Sequence, residues 1–292
     1  MNDELFLMEI MEMINFPKEA QDVFQELLQR IISNPEYYKG IKSAVHKFMD
    51  TYAEQSFEEI DKLSVEMKEH SYTMSMLLLL LSAKPLKEKY IEKGVSEYLY
   101  LDSMKDLCYK LNECYNVYGI WGTFVRDWFP GFYQMSRFAL GRMQYEYEVF
   151  PFDEVNVNGI TIKSGDKVIM MHIPSSGSFT KEERLESYHI AKEFYSKEFN
   201  NQPIPVVCDS WLLYPGYKDV FPRHSNSRSF IDDFSFIYEK TEEEFLDAWR
   251  LFGDVNIKSP KEWPKISSLQ KSFAEYFING GKAGIGYGIL IL

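Results

Sequence analysis

Cysteine is scarce: Cys108, Cys114 and Cys208 are the only three in 292 residues. So sparse and odd a set excludes a disulfide framework and suits a reducing cytoplasm. Long apolar runs are also missing. The longest, Met76 to Leu81, falls far short of the roughly 20 residues that cross a bilayer, so no membrane span is expected. The opening stretch, MNDELFLMEIMEMINF, carries acids where a secretory leader carries lysines. Histidine occurs five times, at His46, His70, His172, His189 and His224, without HxH or HExxH spacing, and there is no CxxC. No metal is therefore expected. The absence of GxSxG removes the simplest serine-hydrolase reading. Positive charge is in the minority, with 32 bases against 44 acids and a net charge of −12. Nucleic-acid binding rests on bases that neutralise phosphates, so DNA, RNA and acidic membrane surfaces are disfavoured as partners. A small basic island, Lys218, Arg223, His224 and Arg228, suits one phosphate group and not a polymer.

What is present is a large core. Hydrophobic residues make up 45% and aromatics 16% of the chain, enough to fold one large domain or two ordinary ones. From Asn2 to about Phe129 the apolar spacing is helical. The segment after Pro17 places Phe24, Leu27, Leu28 and Ile31 on one stripe. Segments 36–49 and 57–84 follow, the second entering the core through MSMLLLLL. Pro85 is expected to break that helix, and Val95 to Tyr118 forms another. Met74, Met76 and the neighbouring leucines read as core filling.

Near Arg137 the period changes. Gln144, Glu146 and Glu148 alternate with Met143, Tyr145 and Tyr147, the spacing of a strand with one polar face. Asn158-Gly159 between two short β-forming runs is a hairpin signal. Val168 to Ile173 reads as a strand ended by Pro174. A polar loop follows, and Thr180 with Glu183 has capping-box spacing for a helix. Ile204 to Leu213 is a further buried run. Strand, loop, helix and strand form a βαβ unit, whose ligands sit where strand ends meet the helix start. Later segments predict a strand at Phe234–Tyr238, a helix capped at Thr241, a helix at Ser267–Phe277 and a closing strand from Ala283. Gly284, Gly286 and Gly288 imitate a dinucleotide fingerprint, but no helix follows to receive the phosphate. The architecture expected is α+β or α/β, with an all-helical N-terminal domain, 1–130, before a mixed-sheet domain, 131–292.

The order of GRMQYEYEVF (Gly141 to Phe150), HIP (His172 to Pro174) with Gly177, CDSWLLYP (Cys208 to Pro215), SNSRSF (Ser225 to Phe230) and SLQKSFAEYFINGG (Ser268 to Gly281) resembles the GNAT-like acyltransferase family. That family joins a helical N-terminal region to a GNAT-like fold. The resemblance implies transfer of an acyl group from acyl-CoA, whether acetyl or longer, to an amine or other small nucleophile. It also implies a thioester arm between the strands Val168–Pro174 and Ile204–Leu213, and cofactor contacts from Ile173, Ser175, Ser176, Gly177, Ser178, Phe179 and Thr180. Gly177 stands alone, where the superfamily has a glycine-rich loop. Glu182 and Glu183 at the helix start repel a diphosphate, and Lys181 and Arg184 offset them in part.

Glu146 is the first candidate base and His172 the second, at the carboxyl end of its strand. Cys208 is a candidate nucleophile with His172 as base, provided their side chains share a face; the alternative is inert packing. Tyr214 is a candidate acid for the departing thiolate. Gln144, Asp209, Trp211 and Asn226 are candidates on the acceptor side. Two other readings stay open. One is a glycan-processing hydrolase with Glu146 and Asp209 as paired carboxylates; the other is a non-catalytic binding protein on the same fold.

Overall fold

The computed structural model describes residues 2–52, 55–253 and 259–292. The chain forms two compact units, Met1–Ala139 and Leu140–Leu292.

The first unit is helical: α1 (Asp3–Met13), α2 (Lys18–Ile32), α3 (Pro35–Thr51), α4 (Gln55–Met67), α5 (Ser71–Glu92), α6 (Glu97–Tyr118) and the single turn α7 (Pro130–Tyr133). Two expectations need correction. The run 57–84 is two helices, because Lys68 takes a left-handed φ of 57° and the His70 ring accepts the Tyr72 amide at 3.1 Å as a fresh N-cap. Pro85 also fails to break the helix and lies inside α5. An interior proline costs about 3 kcal/mol, but α5 buries thirteen side chains, from Thr73 to Tyr90, and burial of even two large apolar ones offsets that at roughly 1.5–3 kcal/mol each. Met74, Met76 and Leu77 to Leu80 are wholly buried, as core filling requires. Trp121 stacks on Tyr115, and the Trp128 indole N–H donates to Asp106 at 2.8 Å, so these aromatics pack within the helical unit.

Strand β1 (Arg137–Leu140) leads into the second unit, which contains β2 (Met143–Val149), β3 (Val155–Val157), β4 (Ile160–Ile162), β5 (Lys167–His172), α8 (Lys181–Tyr195), β6 (Pro205–Ser210), α9 (Asn226–Ile231), β7 (Ser235–Glu242), α10 (Ala248–Phe252), α11 (Ser268–Ile278) and β8 (Ala283–Ile291). Its main sheet runs β2-β5-β6-β8-β7. The β5–β6 pair is parallel, whereas β2–β5, β6–β8 and β7–β8 are antiparallel. The hairpin β3–β4 forms around Asn158-Gly159, both at positive φ, as the turn type demands. It packs on one face of the sheet, here called the front, over Val168, Val207, Tyr287 and Ile289. Helix α8 packs on the back, where the Tyr145 and Ser187 hydroxyls meet at 2.9 Å and the Tyr195 hydroxyl donates to the Tyr145 carbonyl at 3.3 Å.

The helix expected to start at Thr241 is not there. Thr241 and Glu242 continue β7, paired with Gly284 and Ala283, and only Ala248–Phe252 is helical. Sheet pairing outweighs a local capping pattern. The run from Ile204 leaves the sheet at Ser210, whose hydroxyl accepts the Leu212 amide at 3.2 Å and turns Trp211–Leu213 into one 3-10 turn. That turn explains the glycines of β8. A Cβ on Gly286 would lie 2.1 Å from the Leu213 carbonyl oxygen, and one on Gly284 2.4 Å from the Tyr214 ring. The bare strand lets this segment lie directly on it.

Candidate active site

The site begins where β5 and β6 part. They share only two rungs, Ile169 with Val206 and Met170 with Val207. Beyond them β5 stays paired to β2 as far as His172 opposite Gln144. Strand β6 stays paired to β8 as far as Ser210 opposite Gly286. Each strand follows its outer neighbour, and the unpaired interval between Met171–His172 and Cys208–Ser210 is here called the slot.

Register assigns each side chain to a face, because side chains alternate along a strand. Met170 and Val207 share the front face, so His172 and Asp209, two residues further on, do too. Glu146 lies opposite Met170, and Gln144 opposite His172. Gln144, Glu146, His172 and Asp209 are thus gathered on one face at the mouth of the slot. Glu146 Oε1 and His172 Nε2 lie 2.6 Å apart, with side chains 19% and 24% exposed. They are screened enough to act as a unit and open enough to reach a substrate. Gln144 is buried.

Cys208 points the other way. It is 1% exposed, and burial and the charge of Asp209 push its thiol well above the ordinary value. The shared-face condition for a Cys208–His172 pair fails, so this thiol is a packing group. Tyr214 likewise lies on the back face, its ring over Gly284 and its hydroxyl 3.4 Å from that of Thr241. The slot-facing acid role expected of it is lost. Trp211 is half-buried and packs among Phe221, Phe245 and Phe273 at ring separations of 6.1, 5.6 and 5.7 Å. Asn226 opens α9 and offers its backbone carbonyl to Arg184 and Ser229.

The loop from Ile173 through Ser175, Ser176, Gly177, Ser178 and Phe179 runs from the end of β5 to the N-cap Thr180. The capping box forms as expected. The Thr180 hydroxyl accepts the Glu183 amide at 3.3 Å, and Glu183 Oε2 accepts the Thr180 amide at 2.9 Å. The Ser178 hydroxyl donates to the other Glu183 oxygen at 2.5 Å. Bonds from Ser178 and Thr180 hold the Glu183 carboxyl below its ordinary value. The start of α8 therefore already faces a carboxylate of its own.

Two arginines hold the loop: Arg142, absent from the sequence-based set, and Arg184, expected to offset the acids at the helix start but instead buried and paired with Asp233. Arg142 donates to the carbonyls of Ser178 at 2.6 Å and Pro174 at 2.9 Å. Arg184 is fully buried and donates to Asp233 and Ser229 at 3.0 Å each and to the Phe179 and Asn226 carbonyls at 3.4 Å each. Its signal was in the sequence: it stands four residues before Tyr188 and seven before Ala191, on the apolar stripe of α8. The basic island is partly neutralised within itself. Arg228 donates to the Lys218 carbonyl and lies 3.5 Å from Asp219, and Lys218 lies 3.9 Å from Asp232. Among the described residues no group of three or more His, Cys, Asp or Glu is placed to hold a metal, and no helix is long and apolar enough to cross a membrane.

This geometry can be set against known proteins. No curated protein matches the chain. Among solved structures it is similar to an acyltransferase in complex with decanoyl-CoA and teicoplanin, at 15% identity and a TM-score of 0.72, covering 97% of this chain and 87% of that one. A mutant acyltransferase in complex with octanoyl-CoA gives 15% identity, a TM-score of 0.74 and the same coverage. A third structure, an acyltransferase with CoA and 10C-teicoplanin, gives 15% identity, a TM-score of 0.70 and coverage of 97% and 86%. At such identity the likeness speaks for the fold alone. The model of an N-acyltransferase N-terminal domain matches residues 6–135, and that of a GNAT-like C-terminal domain matches residues 138–290. With over half its length in the second match, the chain belongs to the GNAT-like C-terminal domain family, joined here to an N-acyltransferase N-terminal domain.

Proposed function

We propose that the chain is an acyltransferase that moves an acyl group from an acyl-CoA thioester to an amine or another small nucleophile. The observation that carries this reading is the parting of β5 and β6 after two rungs, with Glu146 and His172 hydrogen-bonded at its mouth. The solved relatives, in complex with decanoyl-CoA, octanoyl-CoA and CoA, point the same way.

The residues fit the thioester arm. Beyond the last rung the facing backbone groups of β5 and β6 no longer serve each other and suit an extended chain carrying amides. Ile173 and the loop Ser175–Thr180 adjoin the phosphate end. Lys181 and Arg142 supply positive charge there, while Glu183 takes the helix start. Coenzyme A contributes an activated acyl group when bound. The Glu146–His172 pair removes the proton of the attacking nucleophile, and Gln144 and Asp209 flank the acceptor. A purely structural scaffold needs no such parting. A paired-carboxylate hydrolase gives His172 no part, whereas here it is hydrogen-bonded to Glu146. We place the reaction in the cytoplasm, on a small-molecule acceptor and not on nucleic acid or membrane, with residues 131–292 as the catalytic part after the helical 1–130.

Titration of the purified protein with acetyl-CoA, longer acyl-CoA thioesters and CoA tests the proposal by calorimetry and thermal shift. Saturable heat and a raised Tm with at least one thioester are expected. No heat and no shift with any of them overturns it.

A further inference from the structure

Lys218, Arg223, His224 and Arg228 form the small basic island of the sequence, and the fold divides them. Lys218 lies 3.9 Å from Asp232. Arg228 donates to the Lys218 carbonyl and lies 3.5 Å from Asp219. Arg223 and His224 are exposed, and among the described residues neither side chain has an ion pair or a hydrogen bond. They share the tip of a turn, which the Ser225 amide closes by donating to the Pro222 carbonyl at 2.9 Å. Such a closure keeps the ends of the turn within about 7 Å of each other. The Ser225 hydroxyl then accepts the Arg228 amide at 3.2 Å and caps α9. Two bases are thus presented side by side on a short, fixed turn.

This turn adjoins the loop that ends at Thr180. A single nitrogen of the buried Arg184 guanidinium, NH1, donates to the carbonyls of both Phe179 and Asn226, at 3.4 Å each, so the two oxygens lie no further apart than twice that distance. The Phe179 and Phe230 rings meet at 5.1 Å. Slot, loop and turn therefore form a series: β5 leads from the first to the second, and Arg184 ties the second to the third. A coenzyme A thioester is itself a series of thioester arm, diphosphate and adenosine with a 3′-phosphate. The start of α8 does little to neutralise it, because Glu183 accepts the Thr180 amide and the exposed Glu182 adds charge of the wrong sign, with Lys181 opposing. A phosphate monoester carries about 1.5 to 2 negative charges near neutral pH. A guanidinium fork suits its oxygens, as does the ring N–H that imidazole offers in either charge state.

We infer that the Arg223–His224 turn receives the 3′-phosphate of the acyl-CoA adenosine and makes the protein selective for coenzyme A thioesters over their dephospho forms. The inference rests on the acyl-transfer reading above. Because that phosphate is remote from the thioester, its contacts hold ground state and transition state alike, and their loss raises KM.

The test titrates the full chain with CoA and 3′-dephospho-CoA by calorimetry and measures turnover with the acyl thioester of each. CoA should bind roughly tenfold more tightly, and the advantage should shrink as salt rises, because the turn is exposed. Arg223→Gln and His224→Gln should each reduce the ratio a few-fold by weakening CoA alone. The double variant should bring it near one, mainly through KM for the acyl-CoA. Arg228→Gln removes the same charge from a paired member of the island and should leave the ratio in place. Equal binding of the two ligands by the unaltered protein, or a ratio preserved in the double variant, overturns the inference and leaves acyl transfer intact. Weakening of both ligands by one factor also overturns it, since the turn then serves the diphosphate, and so does an equal fall in Arg228→Gln. If no form of CoA or acyl-CoA binds at all, the proposed function falls and this inference with it. Thermal unfolding checks each variant: the Arg223 and His224 side chains are exposed, so Tm should stay within about 2 °C.

Discussion

Replacing Arg184 with methionine removes one fully buried guanidinium while keeping most of its aliphatic volume. In the native chain it bonds the Asp233 carboxylate and Ser229 hydroxyl at 3.0 Å, and two carbonyls at 3.4 Å. In the variant, Asp233 loses Arg184 and keeps the Tyr188 hydroxyl, which donates to it at 3.0 Å. Orphaning one member of a buried pair costs about 3–5 kcal/mol. At roughly 2–4 °C per kcal/mol for a unit of this size, Tm should fall by about 6–20 °C. The damage should also reach function, because the Phe179 carbonyl closes the Ser175–Phe179 loop and Asn226 opens α9; affinity for acyl-CoA should drop with Tm. Adding Asp233→Asn removes the stranded charge, and the double variant should recover about 1–3 kcal/mol relative to additivity. Thermal unfolding followed by circular dichroism, with calorimetric titration of acyl-CoA, provides the readouts. A Tm for Arg184→Met within about 2 °C of the parent, or a strictly additive double variant, would refute the reasoning.

Glu146→Gln and His172→Ala should each lower kcat by about 10²–10⁴-fold, the usual worth of a positioned base, with acyl-CoA affinity little changed; undiminished turnover in both, measured by thiol release, removes the pair from the mechanism. Cys208→Ala should leave the pH profile of turnover where it was, since a buried thiol with a raised pKa is no nucleophile at neutral pH; a lost rate with a preserved Tm contradicts its assignment to packing. Hydrogen bonds from Ser178 and Thr180 hold the folded-state pKa of Glu183 below the usual carboxylate range, so the stability it contributes is present above its unfolded pKa and is lost as pH falls through the depressed one. Glu183→Gln should therefore lower Tm at pH 7 and converge with the parent in acid, and a constant difference across pH denies the linkage.

Much of this was legible in the chain because it depends on local order. The helical stripes, the alternation of Gln144, Glu146 and Glu148, the Asn158-Gly159 turn and the Thr180–Glu183 box each involve residues within a few positions of one another. The ordered motifs from Gly141 to Gly281 were enough for the family. Thr241–Glu244 had the same local signature as Thr180–Glu183, yet β7 claimed it, because pairing with β8 is a long-range gain invisible to spacing. Pro85 was overruled likewise, by the burial of the helix around it.

The sequence by itself determined that a helical half precedes a mixed-sheet half, and it singled out Glu146 and His172 as candidates next to a βαβ unit. Tertiary structure alone decided which side chains share a face. The register of β2 against β5 puts His172 beside Glu146, and that of β5 against β6 brings Asp209 to the same face and sends Cys208 to the back. A shift of one residue in the β5–β6 pairing would exchange Asp209 and Cys208, because side chains alternate with a period of two.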